Sequence, residues 1–174
     1  MPTIFTIGHS TRPIGEFIQT LQSNGVDTVV DVRAIPGSRR NPQFHPDELS
    51  RSLSEAGIDY RHLAELGGRR YSPVGEETIN AGWRNHSFRS YADYMQTPPF
   101  ARGVDTLLTW AGDRTVAIVC AEAVPWRCHR SLIGDALLAR GTEVRDIMST
   151  TTTKPHVLTR FARVDGTRVW YPPE

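Results

Sequence analysis

A chain of 174 residues, 39% of them hydrophobic, can bury one sizeable core and leaves little room for a second domain. A formal net charge of +1 gives no general drive toward nucleic acid, and two cysteines are too few for a disulfide scaffold. No apolar run reaches membrane-spanning length and the first residues lack the basic and apolar regions of a signal peptide, so no membrane partner and a cytoplasmic location are expected.

Strand and helix signals alternate from the start. Ile4 to Ile7 reads as a first strand running into Gly8-His9-Ser10. Pro13 suits the first position of a helix on which Ile14, Phe17, Ile18 and Leu21 share a face, and Asn24-Gly25 closes it. Thr28 to Val32 is a second buried strand, ending at Arg33. Pro46-Asp47-Glu48 opens a second helix carrying Leu49 and Leu53, which Gly57 ends, and Ile58 to Leu63 suggests a short third strand. Residues 66–86 hold no convincing element, a length that suits a lid, a binding loop or disorder.

Phe88, Tyr91, Ala92 and Met95 mark a short helix, and Val104, Leu107, Leu108 and Ala111 another. Val116-Ala-Ile-Val119 has the β-branching of a buried strand. It delivers Cys120 and Glu122 to a loop that ends in Cys128-His129-Arg130 at the first turn of a helix bearing Leu132, Ile133, Ala136 and Leu137. Glu143 to Met148 is a further strand, Ser149 to Thr153 a polar link, and Asp165-Gly166 the turn of a terminal hairpin. The order predicts one α/β domain, a mostly parallel sheet with helices on both faces, with its core in 1–148 and a C-terminal link and β-hairpin in 149–174.

Parallel strands end at one edge, and three of these ends carry polar groups: His9 and Ser10, Asp31 and Arg33, Cys120 and Glu122. That edge is the expected site, with His9, Arg33, Glu122 and Arg130 around one pocket. Each group also has a plain structural reading. Ser10 could cap the first helix. Asp31, buried, could be ion-paired by Arg33 or Arg130, and Cys120 could be inert packing. Cys128, His129 and Arg130 beside a helix start suggest a nucleophile or an anion cradle, or a loop brace. Cys128 is expected to be the more acidic thiol and Cys120 a buried, unreactive one. Arg33 and Arg130 are expected to hold an anion jointly, with Asp31 keeping one of them in place.

Several other signals are weaker. Of the 20 basic residues only Lys154 is lysine; arginine suits capture of phosphate or carboxylate, and nucleotide bias of a genome explains the same composition. Zinc is a rival for Cys120, Glu122, Cys128, His129 and His9, but cysteines eight residues apart have no recognisable zinc spacing, so no cofactor is expected. Gly37-Ser38-Arg39-Arg40-Asn41 reads as an anion-binding loop or a solvated turn. Gly67-Gly68-Arg69-Arg70-Tyr71 sets arginine beside an aromatic ring, which can hold single-stranded nucleic acid. Trp126 alone of the tryptophans falls inside the candidate site.

Four segments taken together, Thr6-Ile7-Gly8-His9-Ser10-Thr11, Val30-Asp31-Val32-Arg33 with Pro36 and Ser38, Leu66-Gly67-Gly68, and Cys120-x-Glu122 with Cys128-His129-Arg130, resemble an uncharacterised prokaryotic family, domain-of-unknown-function family 488. The resemblance runs from the first strand to about Ile147. It implies an α/β fold and marks His9, Ser10, Asp31, Arg33, Glu122, Cys128, His129 and Arg130 as signature positions, with no reaction attached. A looser similarity, a strand ending in cysteine before an arginine-bearing loop and helix, is to rhodanese-like sulfurtransferases and cysteine phosphatases. There the nucleophile would map to Cys120, although this loop is longer and lacks their run of small residues. By analogy that implies sulfur or phosphoryl transfer.

Two expectations of different class follow. One is an enzyme that uses a loop thiol or the Glu122–His129 pair on an anionic small molecule or nucleotide, with Cys120, Glu122, Cys128 and His129 as catalytic groups and His9, Ser10, Asp31, Arg33 and Arg130 as binding groups. The other is a non-catalytic binder of nucleotide or single-stranded nucleic acid.

Overall fold

The computed structural model describes residues 2–34, 36, 40–70, 78–124 and 128–174. Strands β1 (Thr3–Gly8), β2 (Thr28–Asp31), β3 (Asp59–His62), β4 (Val116–Cys120) and β5 (Glu143–Ile147) form a parallel sheet, and β6 (Thr153–Pro155) adds antiparallel to β5. The order across the sheet is β3-β2-β4-β1-β5-β6. The central strands β2 and β4 are buried along their whole length, whereas Asp59-Tyr-Arg-His62 alternates polar groups at one edge. An uninterrupted apolar run is what a parallel strand needs when helices cover both its faces, and a polar short strand guards an edge.

Helices α1 (Ile14–Ser23) and α2 (Pro46–Glu55) carry the chain from β1 to β2 and from β2 to β3, and they cover one face. Phe17, Leu21, Leu49 and Leu53 pack there on Ile7, Val29, Ala117 and Val119. Helices α3 (His86–Tyr94), α4 (Pro98–Ala111) and α5 (Arg130–Ala139) cover the other. Tyr91, Val104, Leu107, Leu132 and Leu137 pack there on Ile4, Val30, Ile118 and Val144. Crossovers run one way over the first face and the opposite way over the second, as a constant hand requires. Direction changes between the neighbours β1 and β4, and at such a switch the diverging helices open a crevice beyond the carboxyl ends.

The C-terminal segment belongs to the core, which runs past the boundary at 148 that the sequence suggests. Residues 130–137 of α5 are buried on every side, so a third layer must cover this helix. The hairpin β7 (Arg163–Asp165) and β8 (Arg168–Trp170) supplies Val169, followed by Tyr171, both in the core cluster. Its turn is Gly166-Thr167, with Gly166 at φ +61°, one residue beyond the expected Asp165-Gly166. The expected polar link ends in β6, whose backbone pairing with β5 needs no apolar pattern and so left no sequence signal. Among the described residues no helix is long and apolar enough to cross a membrane.

Candidate functional site

Gly8 ends β1 where the loop after β4 crosses it. A Cβ on Gly8 would stand 1.5 Å from the Glu122 carbonyl oxygen, so only glycine lets the two chains cross this closely. His9 and Ser10 N–H groups then donate to the carbonyls of Cys120 and Ala121 at 2.8 and 2.9 Å. Ser10 has φ +50° and caps nothing: α1 starts after Pro13 without a side-chain cap, which corrects the capping reading of Ser10.

Polar groups at this edge divide between the two faces of the sheet. On the α1/α2 face Asp31 is wholly buried. It accepts from Arg33 Nη2 at 2.6 Å, from Arg33 Nε, from the Arg33 backbone N–H and from Tyr60 Oη at 2.6 Å. Arg33 Nη1 donates to the Phe44 carbonyl at 2.9 Å and meets His9 Nε2 at 3.4 Å. The His9 ring stacks on Phe44 with centroids 4.2 Å apart. Its Nδ1 faces the Ser10 carbonyl at 2.8 Å; a carbonyl only accepts, so Nδ1 carries the proton and Nε2 is free to accept from Arg33. Burial lowers the His9 pKa further, keeping the ring neutral.

On the other face Arg130 is 1% exposed. Its Nη1 donates to Thr6 Oγ1 at 2.9 Å and its Nη2 to the carbonyls of Glu122 and Ala123 at 3.1 and 3.0 Å. Thr6 passes its own hydrogen to Asp146 at 2.5 Å. Asp146 and Asp135 then hold His156 between them, at 3.3 Å to Nδ1 and 3.0 Å to Nε2, and Tyr171 Oη donates to Asp135 at 2.7 Å. Burial disfavours the His156 imidazolium, but bonds to the two carboxylates outweigh it and raise the pKa to about 9. Two buried carboxylates thus face two buried cations, Arg130 and His156.

These positions correct one expectation. His9 stacks on the α1/α2 side and Arg130 reaches Thr6 on the α5 side, so the two do not share a pocket. Arg33 and Arg130 donate to acceptors on opposite faces, and Arg130 keeps a buried Nε with no partner among the described residues.

A pocket of about 460 Å³ does open at this edge, on the α3–α5 side. Cys120, Glu122, Cys128 and His129 line it, together with Arg33, Arg69 and Phe88. Gly68 presses on the His129 ring: a Cβ there would lie 2.7 Å from Nδ1. His129 Nε2 donates to the Val32 carbonyl at 2.8 Å, which leaves Nδ1 as an acceptor 3.5 Å from Cys128 Sγ. Burial, with the Arg130 charge nearby, pulls the His129 pKa down to about 4, so the ring is a neutral base at ordinary pH.

Both cysteines are free and buried. Cys120 Sγ donates to the Glu122 carbonyl at 3.9 Å, and Cys128 Sγ lies 3.5 Å from His129 Nδ1. Burial pushes the Cys120 thiol up, but the neighbouring Cys128 and the charge of Arg130 outweigh it and hold Cys120 below the ordinary thiol range. Cys128 precedes the helix and has the neutral His129 ring beside it.

Of the weaker signals, Arg70 lies 3.8 Å from the Tyr94 ring centroid and donates to the carbonyls of Gly67 and Ala64, so it is engaged within the fold. Arg69 is exposed and has no partner among the described residues. Residues 37–39, Tyr71 and Trp126 lie outside the described residues. Among the described residues no three His, Cys, Asp or Glu side chains gather as a metal site would require. The Asp135–His156–Asp146–Tyr171 cluster escaped the sequence reading; a buried carboxylate on an otherwise apolar helix, Asp135, was the signal available.

A family model described as "Domain of unknown function DUF488" matches residues 13–137. The chain belongs to this family. The matched stretch starts after the Thr6–Thr11 segment and takes in α1 through most of α5, including Asp31, Arg33, Gly68, Cys120 and the Cys128-His129-Arg130 turn. No curated protein and no solved structure matches the chain.

Proposed function

We propose that this member of the DUF488 family is an enzyme acting on an anionic small molecule or nucleotide, with Cys120 as nucleophile. One observation carries the reading: both thiols, His129, Glu122 and the exposed Arg69 line a single pocket whose volume of about 460 Å³ suits a small ligand. Arg130 stands behind Cys120 and favours its thiolate, the form that attacks. His129 Nδ1 is an acceptor 3.5 Å from Cys128 Sγ at the same wall, and Glu122, exposed at the rim, moves a proton on the substrate. Arg69 holds the anion, while Arg33, at the same pocket, is engaged by Asp31 and the Phe44 carbonyl.

Iodoacetamide labelling followed by peptide mapping tests this directly. Cys120 should label first, inorganic phosphate or a nucleoside monophosphate should slow it, and Arg69→Ala should abolish that protection. Preferential labelling of Cys128, unaffected by any anion, would remove the proposal. A non-catalytic nucleotide binder is favoured by one feature, the Phe88 ring beside Arg69, which offers a base a stacking face. Binding that survives Cys120→Ser with no chemistry detected in the native chain would select that reading.

A further inference from the structure

Three cavities on the α3–α5 side adjoin, because each shares lining residues with the next. The Cys120 pocket shares Phe88 with a cavity of about 580 Å³, and that cavity shares Trp83, Arg160 and Phe161 with a third of about 480 Å³. Each holds an exposed cation with no hydrogen-bond or ion-pair partner among the described residues: Arg69 in the first, Arg84 in the second and Lys154 in the third. Each also has an aromatic wall, Phe88 in the first, Phe88 with Trp83 in the second, and Trp83 with Phe161 in the third. These half-buried rings meet edge to face, with centroids 5.1 Å apart for Trp83 and Phe88 and 4.8 Å for Trp83 and Phe161. Of the carboxylates on these walls, Asp146 is taken up by Thr6 and His156, and Glu174 by Arg160, which leaves Glu122 against three cations. A net charge of +1 gives the whole chain no pull on a polyanion, but this trough has a local one.

We propose that the trough takes a single strand of nucleic acid, one nucleotide of which enters the Cys120 pocket. This rests on the reading of that pocket as an anion site and adds that the anion belongs to a polymer. A single strand repeats one phosphate and one base; the trough repeats one free cation and one aromatic wall. Phosphates meet Arg69, Arg84 and Lys154 while bases lie against Phe88, Trp83 and Phe161, the combination by which sequence-tolerant grooves hold single strands. A mononucleotide fills only one of the three cavities. A duplex keeps its base faces stacked inside and offers the rings nothing. Charge sets the salt dependence: three phosphates neutralised on a single strand give log affinity against log salt a slope of about −2, or about a 16-fold loss between 50 and 200 mM.

Fluorescence anisotropy with labelled oligothymidylates and oligouridylates of two to twelve nucleotides, and with a duplex of the longest length, tests this. Affinity should rise with length and level off once a strand spans the three cavities, and the duplex should bind at least about tenfold more weakly than the equal strand. The tighter of the two series identifies DNA or RNA as the occupant. Arg84→Ala and Lys154→Ala, both at exposed positions, should each weaken the longer strands severalfold and lower the salt slope by about 0.7. Protection of Cys120 from iodoacetamide by a nucleoside monophosphate should stay native in both. Phe88→Leu keeps an apolar contact with Trp83 and removes the ring face, so strand binding should drop about fivefold or more. A bound strand should itself slow Cys120 labelling. If a nucleoside monophosphate protects Cys120 but affinity does not grow with length, or the Arg84 and Lys154 variants bind strands as the native chain does, the strand is overturned and the small-anion reading stands. A strand that binds without slowing the labelling overturns the continuity of trough and pocket, and with it the proposal. No strand binding and no protection of Cys120 by either ligand removes both readings.

Discussion

Where β1, β2 and β4 end, the two faces of one sheet treat charge differently. On the α1/α2 face Asp31 and Arg33 satisfy each other, and Tyr60, Phe44 and His9 take up what is left. On the α3–α5 face Arg130 and the His156 cluster engage one another beneath the loop, and sulfur and imidazole groups line the pocket with Arg33, Arg69 and Glu122. The first arrangement spends most of its donors within the protein. The second leaves Cys120 Sγ and His129 Nδ1 at the wall of an open space. A signature residue at a strand end is thus a brace on one face and a candidate reactant on the other, and adjacent strand positions decide which, because side chains alternate.

The sharpest way to break this division is to remove one half of the brace. Asp31→Ala leaves the Arg33 guanidinium buried with no counter-ion, which should cost about 3–5 kcal/mol of unfolding free energy in a denaturant titration. In the folded fraction the rate of Cys120 alkylation should change far less than stability does, since Asp31 is on the other face and only its partner Arg33 reaches the pocket. A large change in thiol rate with little change in stability would show that the faces are not separate. Replacing both partners with apolar residues, Asp31→Leu with Arg33→Met, should recover much of the loss.

The buried cluster on the α5 face makes a pH-dependent claim. Folded His156 keeps its proton up to about pH 9, whereas an unfolded histidine releases it near pH 6.5. Its contribution is therefore complete below pH 6.5 and lost as pH rises toward 9. A difference of this size corresponds to about 3 kcal/mol. Unfolding free energy should fall across that interval, and His156→Gln should be less stable at pH 6 and show a much flatter profile. Equal slopes for both chains would mean that His156 is not charged between Asp135 and Asp146.

Gly68→Ala probes the pocket face by steric pressure alone. Its Cβ would stand 2.7 Å from His129 Nδ1, and His129 cannot swing away without losing its bond to the Val32 carbonyl. Overpacking of this kind should cost about 1–2 kcal/mol. The same displacement takes Nδ1 from Cys128, so the alkylation rate of Cys128 should change while that of Cys120 changes little. An unchanged Cys128 rate would argue against a contact between its thiol and His129.

Strand order and helix spacing carried much of the fold in plain view. The β-branched strands Thr28–Asp31 and Val116–Cys120, and the faces of Phe17 and Leu21 or Leu132 and Leu137, need only local sequence to be recognised. Convergence of Arg33, Glu122, Cys120, Cys128 and His129 at one edge also followed from strand polarity. Which face each residue serves did not, since His9 and Arg33 lie just beyond strand ends, where strict alternation no longer holds. The surroundings of the thiols were equally hidden: the Glu122 carbonyl that Cys120 meets and the His129 nitrogen beside Cys128 are not revealed by spacing alone. Asp135, Asp146 and His156 come from three separate elements, so the cluster exists only once the C-terminal segment folds over α5.

The smallest effect tests how completely the brace satisfies itself. Tyr60 sits on the edge strand β3, half-buried, and its hydroxyl donates to Asp31 Oδ2 at 2.6 Å; burial and this bond to a carboxylate hold its proton far above the usual phenol range. Tyr60→Phe removes one donor and keeps the ring. Asp31 Oδ2 still receives Arg33 Nη2 and Nε, so no charge is left unpaired and the loss should be about 1 kcal/mol. It should fall far short of the loss in Asp31→Ala. Thiol reactivity should not move, because Tyr60 and the pocket are on opposite faces. If Tyr60→Phe instead destabilises as strongly as Asp31→Ala, the hydroxyl, and not Arg33, is the group on which the buried carboxylate depends. The brace would then extend across the sheet edge to β3 rather than closing between two residues of β2 and its loop.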